Sequence, residues 1–113
     1  MKDIPEKDWK IIRSLKDPAL DLACRRIFEK VSKLIDSNDK NAHEKYLDLY
    51  KMIDSEDNHI GHLFNDLRRR TAIFKLSLWK FHDLISEEDM KSISQETQKK
   101  VDSLIDSYNE DLR

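Results

Sequence analysis

A single glycine, Gly61, and two prolines, Pro5 and Pro18, leave this 113-residue chain almost no material for tight turns or open loops. Phosphate-cradling loops and nucleophile elbows need glycines at fixed offsets, so both are excluded. The composition permits helices joined by short turns. Charged side chains make up 39% of the chain and apolar ones 38%, a higher and a lower share than globular proteins usually carry. Disorder would also require a large net charge and few aromatics. Here the net charge is −2, and Trp9, Phe28, Tyr46, Tyr50, Phe64, Phe74, Trp79 and Phe81 recur at helical spacing. The fold class is therefore all-α: one domain over residues 1–113, a bundle of five or six helices with one long central helix at about 56–85.

Local signals divide the chain. Pro5 suits a first helical turn, and Trp9, Ile12 and Leu15 follow on one face. Asp17-Pro18 reads as a cap and a first-turn proline, which predicts a second helix bearing Leu20, Ala23, Cys24, Ile27, Val31, Leu34 and Ile35. Asp36 to Asp39 end it. A third helix is expected from about Lys40 to Asp54, with His43, Tyr46, Leu47, Tyr50 and Ile53 on one face, and a break at Ser55 to Asn58. The fourth carries Ile60, Phe64, Leu67, Thr71, Phe74, Leu78, Phe81 and Ile85. Gly61 weakens it modestly and leaves room for another element to approach. Ser86-Glu87-Glu88-Asp89 is a capping signature, with Ile85 and Met90 as its hydrophobic staple. Ser94 to Thr97 caps a last helix bearing Val101, Leu104, Ile105, Tyr108 and Leu112.

From Thr71 onward the central segment turns apolar on its second side as well, through Ala72, Ile73, Leu76, Trp79 and Leu84. A helix apolar around most of its circumference must be buried on most sides. Either the other helices wrap it as the centre of the bundle, or it gives its second face to another copy of the chain; in a domain this small, the latter predicts a homodimer interface at Ile73, Leu76 and Trp79. Between Asp66 and Asp83 there is no acid but five bases: Arg68, Arg69, Arg70, Lys75 and Lys80. The following C-terminal stretch is acidic, so it is expected to lie against this basic segment. Arg68, Arg69 and Arg70 also form a candidate anion or nucleic-acid patch. Against that, consecutive helical residues diverge by about 100°, and the chain lacks the basic excess of nucleic-acid binders.

His59 and His62 lie three residues apart, with Asp66 four further on, a spacing that holds a metal when a second helix adds a ligand. The dedicated His-Glu-x-x-His and paired Glu-x-x-His motifs are absent. His82 falls near the core stripe, where a hydrogen-bonded buried histidine is expected. Cys24, the one cysteine, reads as a packed thiol in a reducing compartment. The opening residues lack the apolar run of a signal peptide and no stretch reaches membrane-span length, so the expected location is cytoplasmic. No family-defining motif is written in the chain and no cofactor is expected. Three function classes follow: a homodimeric protein-binding or regulatory module; a metal-dependent enzyme using His59, His62 and Asp66; and a nucleic-acid or anion binder using Arg68 to Arg70. The first is favoured, which leans away from an enzyme and from a membrane role.

Overall fold

Helix α1 covers Glu6–Asp36 without interruption, although Pro18 sits in its interior. A computed structural model describes residues 4–111, and all of their regular structure is helical. The helix start expected at Asp17-Pro18 is not used. Proline removes the hydrogen bond to the carbonyl of Ser14 and costs up to about 3 kcal/mol inside a helix. Ile12 before it and Ala19 and Ala23 after it nevertheless lie on one buried line, and only a continuous helix keeps them in register.

Helix α2 spans Ala42–Phe64 and is capped by Asn41, whose side-chain oxygen accepts from the Glu44 N–H at 2.9 Å. It runs straight through Ser55 to Asn58, where a break was expected. It stops instead at Asn65, and Asp66 takes a left-handed backbone with φ 61°. Short acidic and amide side chains tolerate that region better than others do. Thr71 fixes the reversal: its hydroxyl accepts from the Arg68 N–H at 2.9 Å and donates to the Asp66 carbonyl at 2.7 Å. A short 3-10 turn over Arg69–Thr71 then leads into α3, Ala72–Phe81. The long central helix expected at about 56–85 is thus two helices joined by a tight reversal. Gly61 admits no neighbouring element; a Cβ there would meet only the Asn65 side chain.

Helix α3 ends in a Schellman motif. Asp83 is left-handed with φ 57°, and the Leu84 N–H donates to the Trp79 carbonyl at 2.8 Å. Helix α4, Glu87–Lys91, starts at Ser86 with a complete capping box to Asp89, as the sequence indicates. Helix α5, Gln95–Asp111, follows from the second capping sequence. Leu112 lies outside the described residues.

Two regions result. In the base, α3, α4 and α5 pack against the first two-thirds of α1 and the end of α2, with Ile12, Leu63, Leu76, Trp79, Met90 and Val101 fully buried. Beyond the base, the last turns of α1 and the first turns of α2 continue as a two-helix arm. The radius of gyration is 17.0 Å, against about 13 Å for a compact chain of this length.

Candidate functional site

The polar groups of the base explain why α3 is greasy all round. The last carbonyls of α2 have no helical partners, so they must be capped from outside. Two α3 side chains reach them. Trp79 Nε1 donates to the Leu63 carbonyl at 2.8 Å, and Lys75 Nζ to the His62 carbonyl at 2.6 Å. The Trp79 indole also stacks on Phe64, with ring centres 5.6 Å apart. On its far side α3 meets α5 through the Ser77–Tyr108 hydrogen bond at 2.8 Å and the Lys80–Asp102 ion pair at 2.9 Å. That pair joins the basic stretch to the acidic last helix, the docking anticipated from charge.

Leu76 and Trp79 therefore have no exposed surface within a single chain, and Ile73 is half-buried against the same core. Leu76 and Trp79 thus offer no surface to a partner. The central helix is instead enclosed by its own chain, because α1, the end of α2 and α5 together wrap α3.

The second candidate, His59, His62 and Asp66, is not assembled. α2 ends before Asp66, which leaves the helical register and pairs with Arg68 at 2.8 Å. His59 meets the edge of His82 at 4.9 Å, while His62 meets Phe74 at 6.0 Å. Among the described residues, no three His, Cys, Asp or Glu side chains are placed to hold a metal ion. The arginine patch is likewise divided. Arg68 is held by Asp66; Arg69 donates to the Ile4 carbonyl at 2.7 Å and to Glu6 at 2.7 Å; Arg70 is exposed. Two of the three charges are engaged at home and do not converge on a ligand.

A cleft of about 150 Å³ marks the junction of arm and base, lined by Ala23, Arg26, Lys30, Glu56, His59 and His82 among others. Arg26 closes one wall by donating to the carbonyls of His82 at 2.8 Å and Asp83 at 2.7 Å, which caps α3 across the cleft. Lys30 and Glu56 pair at 2.7 Å. Burial, then the rings of His59 and His62, hold the His82 pKa below its usual value, with Asp83 opposing weakly. Arg26, Lys30 and Glu56 are thus each tied to a neighbour, and the cleft reads as a braced joint.

The largest uncovered feature is on the arm. Phe28 is 68% exposed, Ile35 56%, Tyr46 66%, Tyr50 69% and Ile53 44%. Their directions follow from helical geometry. Residues nine apart are separated by two and a half turns and so point oppositely. Arg26 points at the base through its bonds to His82 and Asp83, and Ile35 is nine residues on. His59 and His62 point at the base through His82 and Phe74, and Tyr50 and Ile53 are nine residues before them. Phe28 shares the Ile35 direction at seven residues' spacing. Both helices thus turn an apolar line away from the base, onto one common face.

Sequence reasoning placed Ile35, Tyr46, Tyr50 and Ile53 on helical stripes and left Phe28 off the stripe of its own helix. The overlooked signal is that α2 carries two apolar directions, Met52 to Leu63 and Tyr46 to Ile53. A hairpin consumes one of these. The chain matches no protein-family model, and comparison with characterised proteins and with solved structures finds no similar one.

Proposed function

We propose that this chain is a non-enzymatic protein-interaction module of regulatory type, whose binding face is the outer side of the α1–α2 arm. The supporting observation is the bare line of Phe28, Ile35, Tyr46, Tyr50 and Ile53 on one face. Monomers rarely leave a contiguous apolar patch above a few hundred Å² uncovered, and such patches mark interaction sites. Exposed tyrosine and phenylalanine are also the residues enriched where proteins meet. No helix among the described residues is long and apolar enough to cross a membrane. The free thiol of Cys24 suits a reducing compartment such as the cytoplasm.

The test is the native size of the protein in extracts of the cells that make it, compared with a Phe28→Glu/Tyr50→Glu variant. Both positions are exposed, so the variant is expected to keep the wild-type melting temperature while moving from a larger species to monomer size. A wild-type protein running as a monomer, or a variant that keeps the larger species, would refute the proposal.

A further inference from the structure

We infer that the occupant of the arm face is a second copy of this chain, the two arms stacking face to face into a four-helix bundle. This rests on the arm being a protein-binding face and goes further by naming the partner.

The spacing comes first. The α1 line is Cys24, Phe28, Val31 and Ile35; the α2 line is Tyr46, Tyr50 and Ile53, with the half-buried Leu49 beside it. Neither is interrupted by a charge, and both advance in steps of three and four. That is the spacing of a helix-on-helix seam, in which side chains of one helix enter gaps on a facing one. The occupant is therefore helical over three turns or so and presents apolar residues at the same intervals. An extended peptide or a flat sheet would not match it.

Area comes second. A buried aromatic covers roughly 150–250 Å². With three aromatics about two-thirds exposed and two isoleucines about half exposed, the face offers on the order of 600 Å² of apolar surface. A standard interface buries about 800 Å² per partner. The half-buried Cys24, Val31 and Leu49 and the polar edges supply the remainder. One arm against one arm is thus a full interface, with no other element needed.

Access comes third. Helix α3 lies on the opposite face of the α1–α2 layer, as the contacts of Arg26, His59 and His62 fix, and α5 packs on the far side of α3. A two-fold rotation therefore brings two arms together with both bases outside, free of collision. The result is the ordinary architecture of a four-helix bundle, with helices about 20° from antiparallel. In a two-fold pair each copy covers the other's patch, so one contact removes both exposed surfaces at once.

Sedimentation of the purified protein between about 1 and 100 µM tests this. The expected species has twice the 13.5 kDa chain mass. Phe28→Glu/Tyr50→Glu should weaken dimerisation by at least about a hundredfold, as removal of central aromatic anchors does. The milder Phe28→Ser/Tyr50→Ser should weaken it as well, and circular dichroism should report unchanged helix in both. In a mixture of isotope-labelled and unlabelled chains, intermolecular contacts should appear at Phe28, Ile35 and Tyr50. A purified monomer at the top of that range overturns the second copy as occupant. So does a dimer indifferent to these substitutions, or one whose intermolecular contacts lie elsewhere. If the purified chain is a monomer while the extract still holds a larger species that the double variant loses, the docking face stands and only the self-pairing falls.

Discussion

The base and the arm are built from the same two helices, yet they solve opposite problems. In the base, α1 and α2 are covered on a second side by α3, α4 and α5, and buried polar groups are satisfied in detail. Asp8 shows how closely. It is buried at 1% exposure, with one carboxylate oxygen accepting from the Ser94 N–H at 3.0 Å and the other from the Ser94 and Thr97 hydroxyls at 2.6 Å each. The start of the last helix is thereby capped by a residue from the first. In the arm, the same α1–α2 pair stands alone. Its polar links, Lys30–Glu56, Lys40–Asp48 and the Lys45 ammonium on the Ile35 carbonyl, are on or near the surface. Exposed pairs of this kind hold geometry more than they stabilise. The base accounts for the fold's stability, and the arm leaves an apolar face exposed.

The strongest break of this contrast is Leu76→Asp. A carboxylate placed at a fully enclosed position with no counter-charge costs several kcal/mol, and the chain should lose its cooperative melt. A folded Leu76→Asp protein would show that the base is not the stable core. Asp8→Ala comes next. It removes a cap and leaves the Ser94 and Thr97 hydroxyls without their acceptor, for about 2–3 kcal/mol by urea denaturation. Burial raises the Asp8 pKa, but the hydrogen bonds from Ser94 and Thr97 outweigh it and leave it below the ordinary carboxylate value. A depressed acid stabilises above its unfolded value and loses that contribution as pH falls through the folded one. Stability should therefore drop below about pH 4, and the Asp8→Ala variant should show a shallower acid limb.

Pro18→Ala has the opposite sign. Pro18 is exposed and interior to α1, so restoring the bond to Ser14 should raise stability by about 1–3 kcal/mol. No gain would mean that the backbone there has already relaxed around the ring. A smaller effect is expected at the joint. His82 carries a lowered pKa, so its contribution is present above the usual histidine value and fades as pH falls below it. His82→Gln should flatten the modest decline in melting temperature between about pH 7 and pH 5. The titratable and charged groups around it are His59, His62, Asp83 and Arg26. Smallest of all is the arm. Phe28→Glu and Tyr50→Glu should each change the stability of the monomeric chain by no more than about 0.5 kcal/mol, the usual scale for exposed positions. A larger loss would place those side chains against their own chain and erase the distinction between arm and base.

Some elements could be read directly from residues. Ser86 and Asp89 form the capping box their spacing implies, and Ser94 to Thr97 begin α5 as their types suggest. The apolar circumference of residues 72–84 was legible too, and it did mean burial on most sides. Other features were not legible. Asp17-Pro18 and Ser55 to Asn58 resemble boundaries, but the buried line of Ile12, Ala19 and Ala23 crosses the first, and the partly buried Met52, Glu56 and Ile60 run across the second. Asn65-Asp66 resembles mid-helix surface, yet it is where the chain reverses. The candidate metal trio depended on a helix continuing through Asp66, so the reversal dissolved it. The arm face was visible only as stripes, because the sequence does not say which stripe a neighbour will cover.

Composition and periodicity alone determined that this chain is helical, sparing in loops and without glycine-based catalytic motifs. Those properties are local: they depend on backbone freedom and on which side chains share a face of one helix. Tertiary structure alone decided where the central segment breaks, that Leu76 and Trp79 face inward, and that Phe28, Ile35, Tyr46, Tyr50 and Ile53 remain bare. These outcomes depend on how much surface α3, α4 and α5 can cover at once, and three short helices reach only part of the way along a 31-residue one.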